Sequence, residues 1–279
     1  MYESLRFKHP FTCTIAGPSI SGKSTFCITL LQNLDTLCTE QKFKGGIIWC
    51  YSEKTAVPHK QLSELKKNVQ YYKGVPKSNF ENAQGEPCLI ILDDLLTEVY
   101  SDEACILLTR GSRHRNISVK LIAQNLFHQV RICRDISLNA KYLVLFNNVR
   151  DKRQFSHLAD QVLPEDSTGL FKAYLDATKR AHGYLLLDLT QDSEDRHSFR
   201  TNVFPHEYPP IYVAIDDDDG TNKGALSHST RSKNAKPKLR IAIISVGGKE
   251  LISSIKDCVL NVLVGNIPLS TCLKHKLKK

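Results

Sequence analysis

Phe11-Thr12-Cys13-Thr14-Ile15-Ala16 runs directly into Gly17-Pro18-Ser19-Ile20-Ser21-Gly22-Lys23-Ser24-Thr25, an apolar stretch followed by a complete Gly-x4-Gly-Lys-Ser loop. The first six residues read as a buried strand, and Lys23–Leu37 reads as a helix. A phosphate loop needs this context, strand before and helix after. Two glycines let the backbone curl until successive N–H groups face one centre, and the helix start adds the positive end of its dipole. Gly17, Pro18, Ser19, Ile20, Ser21, Gly22, Lys23, Ser24 and Thr25 are therefore the candidate nucleotide-binding residues. Lys23 supplies a point charge to the β and γ phosphates, and the Ser24 hydroxyl is a candidate Mg2+ ligand.

Working outward, Gly46–Tyr51, Leu89–Leu92, Val119–Ala123, Tyr142–Phe146 and Gly183–Leu189 are short apolar runs with little alternation. Such runs suit strands buried on both faces. Helix candidates lie between them at Ser101–Arg113 and Lys152–Val162. The alternation predicts an α/β fold of the P-loop NTPase class, RecA-like, with a mostly parallel sheet and helices on both faces. No internal repeat is present.

The run Leu89-Ile90-Ile91-Leu92 ends in Asp93-Asp94, the Walker B pattern. Asp93 is placed to hold the Mg2+ shell, and Asp94 to orient and deprotonate an attacking water. A second carboxylate there suits hydrolysis better than transfer to a small acceptor. The strand Val119–Ala123 ends in Gln124-Asn125, and an amide at that tip could hydrogen-bond the γ-phosphate or its water, acting as a sensor. Just before this strand, Thr109-Arg110-Gly111-Ser112-Arg113-His114-Arg115 is a basic turn. An arginine from it could stabilise charge on a neighbouring subunit's γ-phosphate or could simply be solvated.

Composition bounds the rest. The 279 residues are 41% hydrophobic and 24% charged, ordinary globular usage that excludes a wholly disordered or fibrous chain. Nine cysteines include no Cys-x-x-Cys pair and no zinc-finger spacing, so free thiols in a reducing compartment are expected. The formal charge is +9, but residues beyond 207 carry twelve Lys and Arg against six Asp and Glu, so the basic character belongs mainly to the tail. Pro205, Pro209 and Pro210, the acidic run Asp216–Asp219 and a Gly/Ser/Thr/Asn/Lys stretch mark a change of composition. The expected division is an ATPase domain over 1–207, a disordered linker over 208–237 and a flexible basic tail over 238–279 containing a short helix. No 18-residue apolar run occurs and Met1–Arg6 lacks a signal-peptide layout, so an intracellular chain without membrane contact is expected.

In order, AGPSISGKS, LIILDD, TRGSRHRNISVKLIAQN and ISLNAKYLVLFNN followed by RD resemble the FtsK/HerA-type genome-packaging ATPases of poxviruses and other large DNA viruses. The series also resembles the packaging ATPases of the Maverick/Polinton and adintovirus elements. The resemblance covers roughly 8–206. It matches Arg113-His114, Gln124 and Asn147 to positions that recur in that family, with Gln124 and Asn147 as sensors. Asp176–Leu189 and Arg200-Thr-Asn-Val-Phe-Pro also look like the end of such a domain. What the resemblance implies is an ATP- and Mg2+-dependent motor that forms a homo-oligomeric ring, threads double-stranded DNA without reading its sequence, and docks on a capsid portal or vertex protein in a host cytoplasm, nucleus or virus factory. Its catalytic set would be Lys23, Asp93, Asp94, Gln124 and Arg113, with Arg110, Arg113 and Arg115 all candidate arginine fingers. The family often has Glu where Asp94 stands.

Alternative readings are another P-loop NTPase, either a helicase or a small-molecule kinase, or an inactive element-derived nucleic-acid-binding protein. The Asp93-Asp94 pair and the Gln124 tip weigh against a kinase. The chain is too short for a second RecA-like domain, and the intact Gly22-Lys23-Ser24 weighs against decay.

Overall fold

The computed structural model describes residues 5–40, 42–52, 69–74, 85–95, 116–126, 139–191, 198–205, 207, 210–215 and 238–243. Within them the elements run β1 Thr12–Ala16, α1 Lys23–Gln32, α2 Leu34–Leu37, β2 Ile47–Tyr51, β3 Val69–Lys73, β4 Cys88–Asp93, β5 Ile117–Ala123 and β6 Tyr142–Phe146. They continue with α3 Arg153–Val162, a 3-10 turn at Pro164–Asp166, α4 Ser167–Ala177, β7 Tyr184–Asp188, β8 Phe199–Arg200, β9 Pro210–Ile215 and β10 Lys238–Ile243.

All ten described strands join one sheet in the order β10-β9-β8-β7-β6-β1-β5-β4-β2-β3. From β6 to β3 every pairing is parallel. Beyond β6 the pairings through β7, β8, β9 and β10 are antiparallel. The sheet is thus mostly parallel where the motifs lie and closes with an antiparallel wing.

Alternation along the strands sorts the core into two faces. On one, Cys13 and Ile15 of β1, Ile91 of β4 and Val144 of β6 pack against Phe26, Leu30, Leu31 and Leu34 from α1 and α2. On the other, Leu143 and Leu145 of β6 and Leu185 and Leu187 of β7 pack against Phe155, Leu158, Leu170 and Tyr174 of α3 and α4. Both faces of β6 are therefore covered, which is why Tyr142–Phe146 reads as an unbroken apolar run. Phe155 and Tyr174 stack at 4.0 Å with planes 9° apart and join α3 to α4.

The expected helix Lys23–Leu37 is two helices. Asn33 ends α1 at φ −116°, ψ 27°, and its Nδ2 donates to Thr29 O at 2.8 Å, closing the last turn. Helix α4 was not expected, although Leu170, Ala173, Tyr174 and Ala177 fall on one face and Asp166 caps its start by accepting from Gly169 N at 2.9 Å. The helix expected at Ser101–Arg113 and the one expected in the tail lie outside the described residues.

The expected boundary at 207 needs correction. β9 begins at Pro210, inside the segment read as a linker, and pairs with β8 and β10. Ile211 and Tyr212 are buried, and the Tyr212 hydroxyl donates to Asp176 Oδ2 at 3.1 Å on α4. The prolines and acidic run suggested a linker, but Ile211-Tyr212-Val213-Ala214-Ile215 is an apolar run of strand length between them.

Besides Asp93, three charged side chains among the described residues are buried in this sheet. Arg200 donates to Asp188 Oδ2 at 3.0 Å with both side chains almost fully enclosed. Lys120, in register with Cys13 and Ile91, is fully buried; among the described residues no oxygen accepts from its Nζ, which lies 5.3 Å and 5.5 Å from the ring centres of Phe7 and Phe11.

Candidate functional site

The phosphate loop leaves the C-terminal end of β1, second from one end of the six parallel strands and flanked by β5 and β6. Loops from this edge of a parallel sheet converge, and ligands bind there. Gly17 is required by a close approach: a Cβ on it would stand 2.7 Å from Phe146 Cβ and 2.9 Å from Ser21 Oγ. Gly22 caps α1 in the left-handed region, φ 108°, where a side chain would be strained. No side chain caps α1 and no acidic residue lies in its first turn, so its leading N–H groups are open to an anion.

Lys23 turns back over the loop. Its Nζ donates to Gly17 O at 2.7 Å and Pro18 O at 2.8 Å, which uses two of three protons and leaves one for a phosphate oxygen. Burial lowers its proton affinity, while Asp94 and then Asp93 raise it, so both carboxylates lie within electrostatic reach of the ammonium. Ser24 and Ser21 are half-buried and Thr25 exposed, as are Ser19 and Ile20 at the loop tip. The buried Ser21 Oγ has no hydrogen-bond partner.

Asp93 ends β4, and its burial pushes the carboxyl up to about 6. Trp49 and Lys23 pull that value down and Asp94 pushes it further up. The Trp49 indole donates from Nε1 to Asp93 Oδ2 at 3.3 Å. Trp49 is wholly buried and its register partner on β4 is Ile91, so its side chain shares Asp93's face of the sheet. Sequence reading missed it; the signal available was a lone tryptophan two residues from the tip of an apolar strand.

Asp94 adopts φ 51°, left-handed for a residue with a side chain, and its N–H donates to Ile122 O at 3.2 Å. This turn sends Asp94 towards β5, where Gln124 Nε2 donates to Asp94 Oδ2 at 2.9 Å. Gly17 N in turn donates to Ala123 O at 3.2 Å. β5 therefore stands between β1 and β4, separating them by two strand spacings, about 10 Å. Its tip places Gln124 between loop and carboxylates. With Nε2 committed to Asp94, Gln124 Oε1 and Asp94 Oδ1 are left to hold a water and to receive its proton.

Asn147 follows β6, and its half-buried Oδ1 also lacks a partner. Next to it Asn148 Oδ1 accepts from Arg150 N and Asp151 N, and Gln154 accepts from Leu126 N while donating to Asp151 Oδ2 at 2.9 Å. This network ties the end of β5 to α3. His182 Nδ1 lies 3.1 Å from Ser21 O and fastens the loop to the turn before β7. The Leu126–Gln154 and His182–Ser21 ties were not read from the sequence, since they join segments 28 and 161 positions apart. Arg110, Arg113 and Arg115 lie outside the described residues.

The orphaned Ser21 Oγ, the open start of α1 and the single remaining Lys23 proton fit a bound polyphosphate. A Mg2+ ion would be held by Ser24 and Asp93 with phosphate oxygens and water, neutralising charge on the β and γ oxygens. No cluster of three His, Cys, Asp or Glu able to hold a metal alone occurs among the described residues. The five described cysteines are buried. Burial pushes the Cys13 thiol up to about 12, as it does Cys50. No described helix is long and apolar enough to cross a membrane.

No protein-family model matches the sequence and no curated protein matches it. Solved structures do align. The chain is similar to the genome packaging NTPase of Sulfolobus turreted icosahedral virus 2 in complex with sulfate, at 14% identity and a TM-score of 0.39, over 64% of this chain and 91% of that one. The same NTPase in complex with ATP-gammaS aligns at 14% identity and a TM-score of 0.41, over 64% and 93%. The cytoplasmic domain of EssC aligns at 13% identity and a TM-score of 0.37, over 93% of this chain and 46% of that one.

Proposed function

We propose that this chain is an ATP-hydrolysing, Mg2+-dependent motor that works as a homo-oligomeric ring and moves double-stranded DNA into a capsid. The observation that carries the hydrolytic part is the meeting of Lys23, the Asp93-Asp94 pair and Gln124 at the ends of three neighbouring parallel strands. In this reading the α1 amides and Lys23 hold the β and γ phosphates. Asp94 takes a proton from the water that Gln124 Oε1 orients, and Asp93 anchors Mg2+ with Ser24. Loss of the γ-phosphate changes what Gln124 contacts, and the Leu126–Gln154–Asp151 bonds pass that change from β5 to α3.

The motor part is supported by the order of the later motifs. DNA would be gripped through its phosphates, because a packaging motor must pass every sequence. A neighbour's arginine, drawn from Arg110, Arg113 and Arg115, would complete the site at a ring interface, and a capsid portal or vertex protein would seat the ring.

The deciding experiment is phosphate release by the full chain with ATP and Mg2+, with and without long double-stranded DNA. Release that rises with DNA and is lost in Lys23→Ala is expected. Turnover indifferent to DNA would overturn the motor, and no turnover would overturn the enzyme.

A further inference from the structure

Beside the phosphate loop lies a cavity of about 410 Å³ to which no function has yet been given. Its wall begins at Gly22 and Thr25 and ends at Arg180, Asn202, Phe204 and Glu207. The direction is set by the loop. Gly22 and Thr25 belong both to the loop and to the cavity wall, so a ligand whose phosphates rest on the loop amides can extend directly into the cavity. The cavity begins there, and its volume falls within the range of small-molecule sites.

Its lining divides by chemistry. Phe204 is half-buried and held from behind by Phe26, with ring centres 5.1 Å apart, and by Tyr184 at 6.3 Å. It offers a braced aromatic face. Opposite in character is the polar rim: the Arg180 guanidinium donates to Asn202 Oδ1, and Asn202 is held at φ 52°. Glu207 Oε2 accepts from Phe204 N at 3.3 Å, pinning the ring's own backbone. An aromatic face beside a rim of donors and acceptors suits a flat heteroaromatic base joined to a hydroxylated sugar.

We infer that this cavity is the nucleoside subsite of the phosphate loop, with Phe204 as the stacking platform for the base and Arg180, oriented by Asn202, as the polar contact to base edge or ribose. The inference rests on the nucleotide reading of the loop and adds to it the residues that make the site prefer a nucleotide over a bare polyphosphate. Phe204 and Arg180 lie 182 and 158 positions after Gly22 in the sequence, so the loop motif does not reveal them.

The test is competitive binding of two probes to the full chain, a non-hydrolysable ATP analogue and inorganic tripolyphosphate. Phe204→Leu keeps apolar bulk against Phe26 while removing the π face, and Arg180→Gln alters an exposed side chain. Each is expected to weaken the ATP analogue by about tenfold, the usual worth of a base–aromatic contact, and to leave tripolyphosphate unchanged. Equal weakening of both probes, or no weakening of the analogue in either variant, would overturn the subsite. A wild-type chain that binds neither probe would instead overturn the nucleotide reading beneath it.

Discussion

Gln124 Nε2 donates to Asp94 Oδ2 across 2.9 Å, joining the tip of β5 to the turn after β4. Asp94 is in a left-handed conformation, and the bond fixes which of its side-chain atoms remain for a water. Asp94→Asn removes the proton acceptor, and Gln124→Ala removes the partner that orients it. Both are expected to lower kcat by about a hundredfold with little change in ATP affinity, measured by phosphate release and by equilibrium binding. Undiminished release from Asp94→Asn would move the base elsewhere.

Trp49 is the chain's single tryptophan, and its indole N–H meets the Asp93 carboxylate. Trp49→Phe keeps a ring of similar shape but deletes the donor. The Mg2+ concentration for half-maximal hydrolysis is expected to rise by about tenfold, as losses of such supporting bonds usually cost, while nucleotide binding without Mg2+ is unchanged. In the unaltered chain, tryptophan emission should respond to Mg2+ added with nucleotide; silence there would place the ion away from Asp93.

The extent of the sheet is tested by truncation. A chain ending at 215 keeps β9, whereas one ending at 207 loses the buried Ile211 and Tyr212. Each such side chain contributes about 1.5–3 kcal/mol, so the shorter chain should unfold at clearly lower denaturant. Equal midpoints would make β9 dispensable.

Lys120 offers the opposite sign. It is fully buried, its Nζ has no hydrogen-bond partner among the described residues, and the Phe7 and Phe11 rings lie near it. Lys120→Met retains length and packs against both rings, and stability should rise by about 1–3 kcal/mol in thermal unfolding. A lower melting temperature would show that the ammonium is better solvated than its surroundings imply.

His9 gives a pH dependence at the far end of the sheet. Its Nδ1 lies 2.6 Å from Ser118 Oγ and its Nε2 2.8 Å from Asn116 Oδ1. Burial lowers its pKa from 6.5, outweighing the Asn116 hydrogen bond that raises it. The fold therefore favours the neutral ring, and the unfolded chain takes up the proton first as pH falls. The His9 contribution is constant above about pH 6.5 and declines below it until the lowered folded value is passed. The stability difference between the parent chain and His9→Gln should shrink over that window; a difference independent of pH would show that the ring takes up its proton equally in both states.

The centre of this fold was legible because local pattern and burial agree there. Tyr142–Phe146 is both an apolar run and a strand covered on two faces, and Gly17–Ser24 is fixed by backbone needs that the residue types themselves announce. Legibility failed where burial is partial or partners are distant. β3 at the sheet edge, Val69-Gln70-Tyr71-Tyr72-Lys73, is mostly exposed and lacks an apolar run. β8 is two residues long and exists through its pairing with β7 and β9. Trp49, His182 and Phe204 reach the candidate site through contacts 44, 161 and 178 positions away, which no local spacing encodes.

Cys27 sits in α1 four positions after Lys23, fully buried between that helix and the sheet, its thiol pushed up by burial. An alkylating reagent can meet it only when the helix lifts away. The rate at which Cys27 is labelled is therefore a stopwatch for detachment of the element that carries the phosphate-binding amides, and anything clasped at the start of that helix must slow the clock.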